Sequence, residues 1–323
     1  MSHASSGKMT PLFPAGMIID HTARDADQMT EFAAFWHIDQ VQLQPGSYHG
    51  SILAFHTSNV QLAITYRSRS TRVRGQVPDG AVAFGLPLAF QPATYFRARR
   101  LARSEIAMAR AGDEFIFQTT GAVRDVCLAI SASLIERYAK SKWGEPLDAR
   151  CRDGRLELFG ATTATVAKRL AEIVRTTVAQ RDQLASVTFC SRLDRVILEV
   201  LLDHVHAPDG SSTHGERREY AIKTKDYLHA HADRPLCMDE LCGEFGRSSR
   251  ILEIGFQEAF GMSLKARLQA IRFNGAHRDL RAAKGGELLV KEIAMRWGFM
   301  HLGRFSVTYR KWFGESPRAT IGR

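Results

Sequence analysis

The sequence has no long apolar run. Its longest nearly apolar stretches, Val126 to Ile130 and Val196 to Leu202, fall far short of the ~20 residues that span a bilayer as a helix, so no membrane partner is expected. Cysteine is scarce, with five in 323 residues, at positions 127, 151, 190, 237 and 242. An odd count at scattered spacing supplies no disulfide framework and predicts a reduced, cytoplasmic protein. Cys237 and Cys242 have no histidine or second cysteine pair at zinc spacing and read as buried structural thiols. Residues 38–130 contain no His-x-His; His49 and His56 flank one strand pattern, and His21 and His37 stand alone. No Ser-His-Asp set, Cys-His pair or phosphate-cradling glycine loop stands out. No enzyme and no cofactor is expected. The opening residues, MSHASSGKMTPLFPAG, lack an apolar run and read as a disordered lead-in over residues 1–15, not a signal peptide.

With 45% apolar and 24% charged residues, the chain has an ordinary globular composition and enough length for two domains. Charge is unevenly spread. From Arg217 onward there are 20 Lys and Arg against 12 Asp and Glu, a surplus of eight; the preceding residues carry a surplus of only two. A cationic C-terminal domain is drawn to a phosphate backbone by counterion release.

The stretch VKEIAMRWGFMHLGRFSVTYRKWFGESP, Val290 to Pro317, organises that domain. Ile293, Ala294 and Trp297 fall on one face of a predicted helix over 290–297, which Gly298 can end with a positive φ. Leu302, Phe305, Tyr309, Trp312 and Phe313 recur at helical spacing over 302–313, with Arg304, Ser306, Thr308, Arg310 and Lys311 between them. A short helix, a glycine turn and a basic amphipathic helix make a helix-turn-helix, whose second helix fits a DNA major groove. The bland alternative is a helical hairpin with a solvated basic face.

A second copy precedes it. In MDELCGEFGRSSRILEIGFQEAFGMS, Leu241 matches Ile293, Gly246 matches Gly298 and Leu252 matches Phe305. Phe256 matches Tyr309, Phe260 matches Phe313, Gly261 matches Gly314 and Ser263 matches Ser316. The offset grows by one across the turn, so the later copy carries one extra turn residue. Such a repeat means two copies of one supersecondary unit. Between them Leu264, Leu268, Ile271 and Leu280 form a partial stripe suited to a connecting helix.

On Ile293-Ala294, Gly298-Phe299, the string HLGRFSVTYRKWFGESP and the weaker first copy, the chain resembles the AraC/XylS family of transcription regulators, and its XylS-like branch in particular. The resemblance is firm from Arg217 onward. The first copy departs from the family pattern: Leu264 and Arg267 stand where Pro and an aromatic are usual, Ile254 where a basic residue is usual, and Cys237 where a Ser or Thr cap is usual.

The N-terminal half reads differently. Residues 22–37, with Met29, Phe32, Ala33 and Trp36, have the spacing of an amphipathic helix. Ile52, Ala54 and Phe55, then Val60, Leu62, Ile64 and Tyr66, alternate across a Ser58-Asn59 turn as strands do. Further strands are expected over 82–88, 105–109, 114–117 and 126–130, punctuated by Gly75, Pro78, Gly80, Gly112 and Gly121. Many short strands with such turns suggest a barrel or jelly roll. The resemblance implies a cupin-like sensor in this place. A cupin-like barrel in turn raises a metal-dependent oxygenase or isomerase, which needs clustered His and carboxylate ligands.

Two basic runs, Arg67, Arg69, Arg72 and Arg74, then Arg97, Arg99, Arg100 and Arg103, read as solvent-facing alternation. The alternative puts one or two of them inside the barrel on an acidic effector. Phe84, Phe90, Tyr95, Phe96, Phe115 and Phe117 either line that interior or form core. Over 155–206, Leu156, Phe159, Val166, Leu170, Ile173, Val174 and Val178 make one helical stripe. Val187, Leu193, Val196, Ile197, Val200 and Leu201 make another. These helices can cover the barrel or a partner chain, and the resemblance implies dimerisation.

The expected architecture is α+β in two domains. A cupin-like β-barrel sensor with flanking helices covers 16–206, including dimerisation helices over 155–206, and a linker follows over 207–216. An all-α DNA-binding domain over 217–323 carries two helix-turn-helix units, 236–260 and 290–313. The expected function is a sequence-specific, ligand-responsive activator on double-stranded promoter DNA, acting as a homodimer, with RNA polymerase as a further partner and an effector the sequence does not name. The alternatives are a regulator whose β domain only dimerises or binds a partner protein, and a cupin-like enzyme fused to a helix-turn-helix. Expected DNA contacts in the first unit are Arg247, Ser249, Arg250, Glu253 and Ile254. In the second they are His301, Gly303, Arg304, Ser306, Val307, Arg310 and Lys311.

Overall fold

The computed structural model describes residues 12–31, 36–207, 215–234, 236–283 and 290–321. The β-rich half runs β1 (Ile18–Ala23), α1 (Ala26–Glu31), β2 (His37–Gln42), β3 (Gly50–His56), β4 (Val60–Arg67), β5 (Thr71–Gln76), β6 (Ala81–Pro87), β7 (Thr94–Phe96), β8 (Arg99–Arg100), β9 (Glu105–Arg110), β10 (Glu114–Thr119) and β11 (Val123–Ser131). It continues with α2 (Ala132–Trp143), β12 (Cys151–Arg152), β13 (Arg155–Leu158), α3 (Thr163–Ala179), α4 (Val187–Leu202) and β14 (Val205–His206). The helical half holds α5 (Gly215–Ala230), α6 (Met238–Phe245), α7 (Ser249–Phe260), α8 (Leu264–Ala282), α9 (Val290–Arg296), α10 (Leu302–Phe313) and α11 (Pro317–Thr320).

The strands form two antiparallel sheets. The larger runs β1-β3-β4-β11-β6-β9-β13-β12 with β14 on β13, and the smaller runs β2-β5-β10-β7-β8. Alternation sets their faces: side chains two apart along a strand point the same way. On the outside of the larger sheet, α3 and α4 bury Val166, Leu170, Val174, Ile197, Leu198 and Leu201 against Phe55, Leu62, Val82 and Ile106. Thr162 caps α3 through the Thr165 amide, and Ser186 caps α4 through that of Phe189.

Several expectations need correction. Residues 22–37 do not form one helix. Thr22 lies in β1, α1 spans only Ala26–Glu31, and His37 opens β2, whose six residues all pair with β5; Phe32 and Ala33 lie outside the described residues. Long-range pairing overrides a helical spacing that Met29 and Trp36 happened to share. The lead-in over residues 1–15 is too long: residues 1–11 lie outside the described residues, but the Leu12 amide donates to the Ser58 carbonyl, and Phe13 is buried against the His56 ring. Leu156 belongs to β13, and Phe159 follows that strand, 71% exposed, so neither joins the α3 stripe. The apolar stripes of α3 and α4 are largely consumed by the chain's own core, leaving Val187 and Val196 as exposed large apolar residues of α4. Cys237 is exposed rather than buried, and the other four thiols are half-buried and free. Of the expected linker, residues 208–214 lie outside the described residues, and Gly215 already belongs to α5.

Candidate nucleic-acid interface

The two helix-turn-helix units repeat in their caps as well as their cores. Gly246 and Gly298 both take positive φ after the first helix of each unit. Gly261 and Gly314 both end the second helix in the left-handed conformation. Ser263 and Ser316 both accept an amide, from Ala266 and Ala319, to start the next helix. The 19-residue α8 joins the units and buries Phe273, Ala276 and Leu280 in the second, Leu264 and Ile271 in the first. Leu252 and Phe256 are core in α7; Phe305, Tyr309 and Trp312 are core in α10. In the second unit Phe273 stacks on Phe305 and Trp312 at centroid separations of 5.8 and 5.3 Å. His277 Nδ1 meets the Tyr309 hydroxyl at 2.7 Å.

With those side chains claimed by the core, the rest of each second helix faces outward. On α7, Ser249, Arg250, Glu253 and Ile254 are exposed, and so is Ile251, which the sequence reading passed over. Around α10, His301, Gly303, Arg304, Val307, Arg310 and Lys311 are exposed and Ser306 is half-buried. Met300, also passed over, is exposed in the turn. Arg247 stands apart. Its Nη2 donates to the Tyr220 hydroxyl at 2.6 Å and its guanidinium lies 4.5 Å from that ring's centroid, so α5 holds it.

Between the two sheets of the β domain lies a cavity of about 120 Å³. The smaller sheet walls it with Ile38, Gln40, Val73, Phe96, Phe115 and Phe117; the larger contributes Gln61, Thr65, Arg67, Phe84, Asp125 and Cys127, among others. The solvent-facing reading of the first basic run therefore fails at Arg67 and Arg72, which are both buried. Arg67 lies on the cavity wall. Its Nη1 donates to both carboxylate oxygens of Asp125, at 3.1 and 2.9 Å, and its Nε donates to Gln40 Oε1 at 3.1 Å. Burial opposes the charge, but Asp125 outweighs it and holds the guanidinium above its ordinary value. Burial pushes the neighbouring Cys127 thiol up to about 12. In the second run Arg97 and Arg99 are half-buried and paired with Asp113 and Glu105. Of the expected aromatic lining, Phe84, Phe96, Phe115 and Phe117 face the cavity; Phe90 and Tyr95 are not on its wall. Among the described residues no three His, Cys, Asp or Glu side chains gather as a metal would require, and no described helix is long and apolar enough to cross a membrane.

The smaller sheet is a wall with two occupied sides. Ile38 and Gln40 face the cavity, while their neighbours Asp39, Val41 and Gln42 meet the helical domain. Val41 enters the core around Phe273 and Trp312. The Gln42 amide nitrogen donates to the Trp312 carbonyl at 3.0 Å, and the Asn274 amide donates to the Gln42 carbonyl at 2.6 Å. Asp39 accepts from Arg72 and Arg278. On β10, Phe117 faces in, while Gln118 faces out and donates to the Phe260 carbonyl at the end of α7. The Gln118 carbonyl oxygen accepts from Arg267 Nη1 at 3.1 Å. On β5, Arg72 donates to His229 Nε2 of α5 at 2.8 Å; Arg is donor-only, so that nitrogen is unprotonated. Burial, and then the Arg72 charge, lower the His229 pKa to about 4, in keeping with that role. Beyond the sheet, Arg281 of α8 pairs with Asp25 and Asp27.

Residues 241–323 match a family model described as a helix-turn-helix domain. The probable thc operon regulatory protein of Rhodococcus erythropolis is 44% identical over 92 residues, 28% of this chain and 28% of that protein. The HTH-type transcriptional activator RhaR of Klebsiella pneumoniae is 27% identical over 159 residues, 49% of this chain and 55% of RhaR. The matches thus span between about a quarter and about half of these curated relatives' length. Among solved structures, a probable AraC family transcriptional regulator from Rhodopseudomonas palustris is 31% identical, covering 32% of this chain and 98% of that one with a TM-score of 0.30.

Proposed function

Because the chain belongs to the AraC/XylS family of transcription regulators, we propose that it binds promoter DNA through both helix-turn-helix units and that a small molecule in the β-domain cavity alters that binding. The observation that carries the proposal is the pairing of two exposed second helices, α7 and α10, on one connecting helix, α8, which is itself docked on the cavity wall. In this reading residues 217–323 are the DNA-binding domain and 16–206 the sensor. Arg250 and Arg304 read bases, as a guanidinium can do bidentately at guanine, and Glu253 accepts from cytosine N4. The exposed Ile254 and Val307 meet thymine methyl groups. Ser249, His301, Gly303 and Ser306 sit near the base edges at the helix starts, and Arg310 and Lys311 hold phosphate. Arg247, held on Tyr220, positions α7.

The two helices should occupy successive major-groove segments, centred roughly 10 bp apart on one face of the duplex. The chain acts as a homodimer through surface left outside its own core, with RNA polymerase as a further partner. No catalytic role is proposed. The test is selection of bound DNA sequences from a random pool, with hydroxyl-radical footprinting, in the presence and absence of candidate metabolites. A footprint of two adjacent groove segments per chain that changes with a metabolite supports the reading. A single segment per chain, or no change with any metabolite, rejects the corresponding half of it.

A further inference from the structure

We infer that the cavity takes a small, neutral, largely apolar molecule bearing a hydrogen-bond acceptor such as a ketone, ester or amide carbonyl, and disfavours a carboxylate. The inference deepens the ligand half of the proposed function and rests on it.

The argument starts from which polar atoms are already engaged. Arg67 is the guanidinium on the cavity wall, and the Asp125 carboxylate beside it takes two of its hydrogen bonds at 2.9–3.1 Å. Thr65 donates its hydroxyl to the same carboxylate. The pair is buried and cancels in charge. An entering carboxylate would lose its hydration and find no uncompensated cation on the wall.

The two cavity glutamines have their orientation dictated by their partners. Gln40 faces Arg67 Nε at 3.1 Å, and Gln61 faces the Trp36 indole nitrogen at 2.7 Å. Both partners can only donate, so each amide must present its oxygen to protein. Among the described residues the remaining NH₂ groups, Gln40 Nε2 and Gln61 Nε2, have no acceptor, and they are not among the fully enclosed polar atoms. The wall therefore offers donors while its strong acceptors are taken. Around them stand Trp36, Phe84, Phe96, Phe115 and Phe117. Apolar walls with a few placed polar groups are the usual make-up of a small-molecule site, and a volume of this order admits a single-ring molecule.

The experiment uses the full chain and matched probes: acetophenone and 2-octanone, benzoate and octanoate, and ethylbenzene, each titrated calorimetrically at pH 7.5. At least one ketone should bind, at least tenfold more tightly than the carboxylate of similar size, and acetophenone at least tenfold more tightly than ethylbenzene. Asp125→Asn leaves Arg67 uncompensated and should shift the carboxylate-to-ketone affinity ratio at least tenfold toward the carboxylate. If that variant fails to fold, Gln61→Leu serves: it should weaken ketone binding several-fold and leave ethylbenzene unchanged. No binding of either ketone at 1 mM, a carboxylate as tight as its ketone, an unchanged ratio in folded Asp125→Asn, or an equal loss of ketone and ethylbenzene in Gln61→Leu overturns the assignment. DNA binding on the same sample separates the two readings. A chain that takes a ketone but binds no DNA keeps the ligand class and loses the regulator function; a chain that binds DNA but no ketone does the reverse.

Discussion

The two helix-turn-helix units share a plan and differ in what completes them. The second has the larger aromatic core, into which Val41 of β2 also packs. Phe273, Phe299, Phe305, Tyr309, Trp312 and Phe313 contact one another ring to ring, and His277 stacks on Phe313 at 4.2 Å. The first has a smaller aromatic core, chiefly Phe256 on Phe260 at 4.7 Å, and leans on the smaller sheet of the β domain. The carbonyl of Phe260 is held by Gln118, and a Cβ on Gly261 would strike Tyr95 and Thr120. Sequence departures from the family pattern fall in this leaning unit and in the helix it shares. Arg267, buried where an aromatic is usual, reaches Gln118 across the domain boundary.

The largest test of this contrast is Phe305→Ala, which should cost about 3–5 kcal/mol, as large core truncations do. Chemical denaturation should show the second unit melting first; a loss below about 1 kcal/mol would deny Phe305 its place in that core. Next comes Gln118→Leu. It strands the Arg267 guanidinium, whose burial and whose neighbour Arg72 already disfavour its charge, and should cost about 1.5–3 kcal/mol. Arg267→Met should recover much of that loss in the double variant, because a buried charge replaced by an apolar chain of similar volume is often neutral. If Gln118→Leu leaves protection of the α7 amides from hydrogen exchange unchanged, the first unit does not lean on the smaller sheet.

Base readout gives a third comparison. Arg250→Ala and Arg304→Ala should each cost about 1–3 kcal/mol on the cognate site and relax preference at one position. Lys311→Ala should weaken all sequences alike and lower the salt slope by about one. Equal losses on cognate and scrambled DNA would reassign either arginine to phosphate. The smallest effect is on pH. Burial first of all lowers the His277 pKa to about 4, below the ordinary value of 6.5. A histidine depressed in the folded state adds stability above pH 6.5 that is lost as pH falls toward 4. Melting of the second unit should therefore weaken over that window, and His277→Leu should flatten its contribution.

What could be read in advance follows the same division. The bounds of α10 and the repeat of caps were legible because aromatic and glycine spacing is local and 3.6-periodic. β2 was not, since its six residues become a strand only by pairing with β5, 29 to 39 positions on. β5 itself hid behind its arginines. Arg72 alternates onto a buried docking face, and alternation alone does not tell a solvated face from one covered by another domain. Gln40 and Gln61 carried no signal at all, because nothing in a single glutamine reveals that a donor-only partner will fix its amide.

Under the proposed function, the two-sided sheet bears on how the protein can change its ligand. A substitution at Ile38, Gln40 or Phe117 alters the cavity through strands whose next residues, Asp39, Val41 and Gln118, grip the helical domain. Ligand choice and regulatory output are inherited together on that side. The opposite wall, where Gln61, Phe84 and Asp125 sit on strands backed by α3 and α4, carries no such tie among the described residues. In that reading, lineages or selections that acquire a new inducer without losing control of the promoter should accumulate their first changes there.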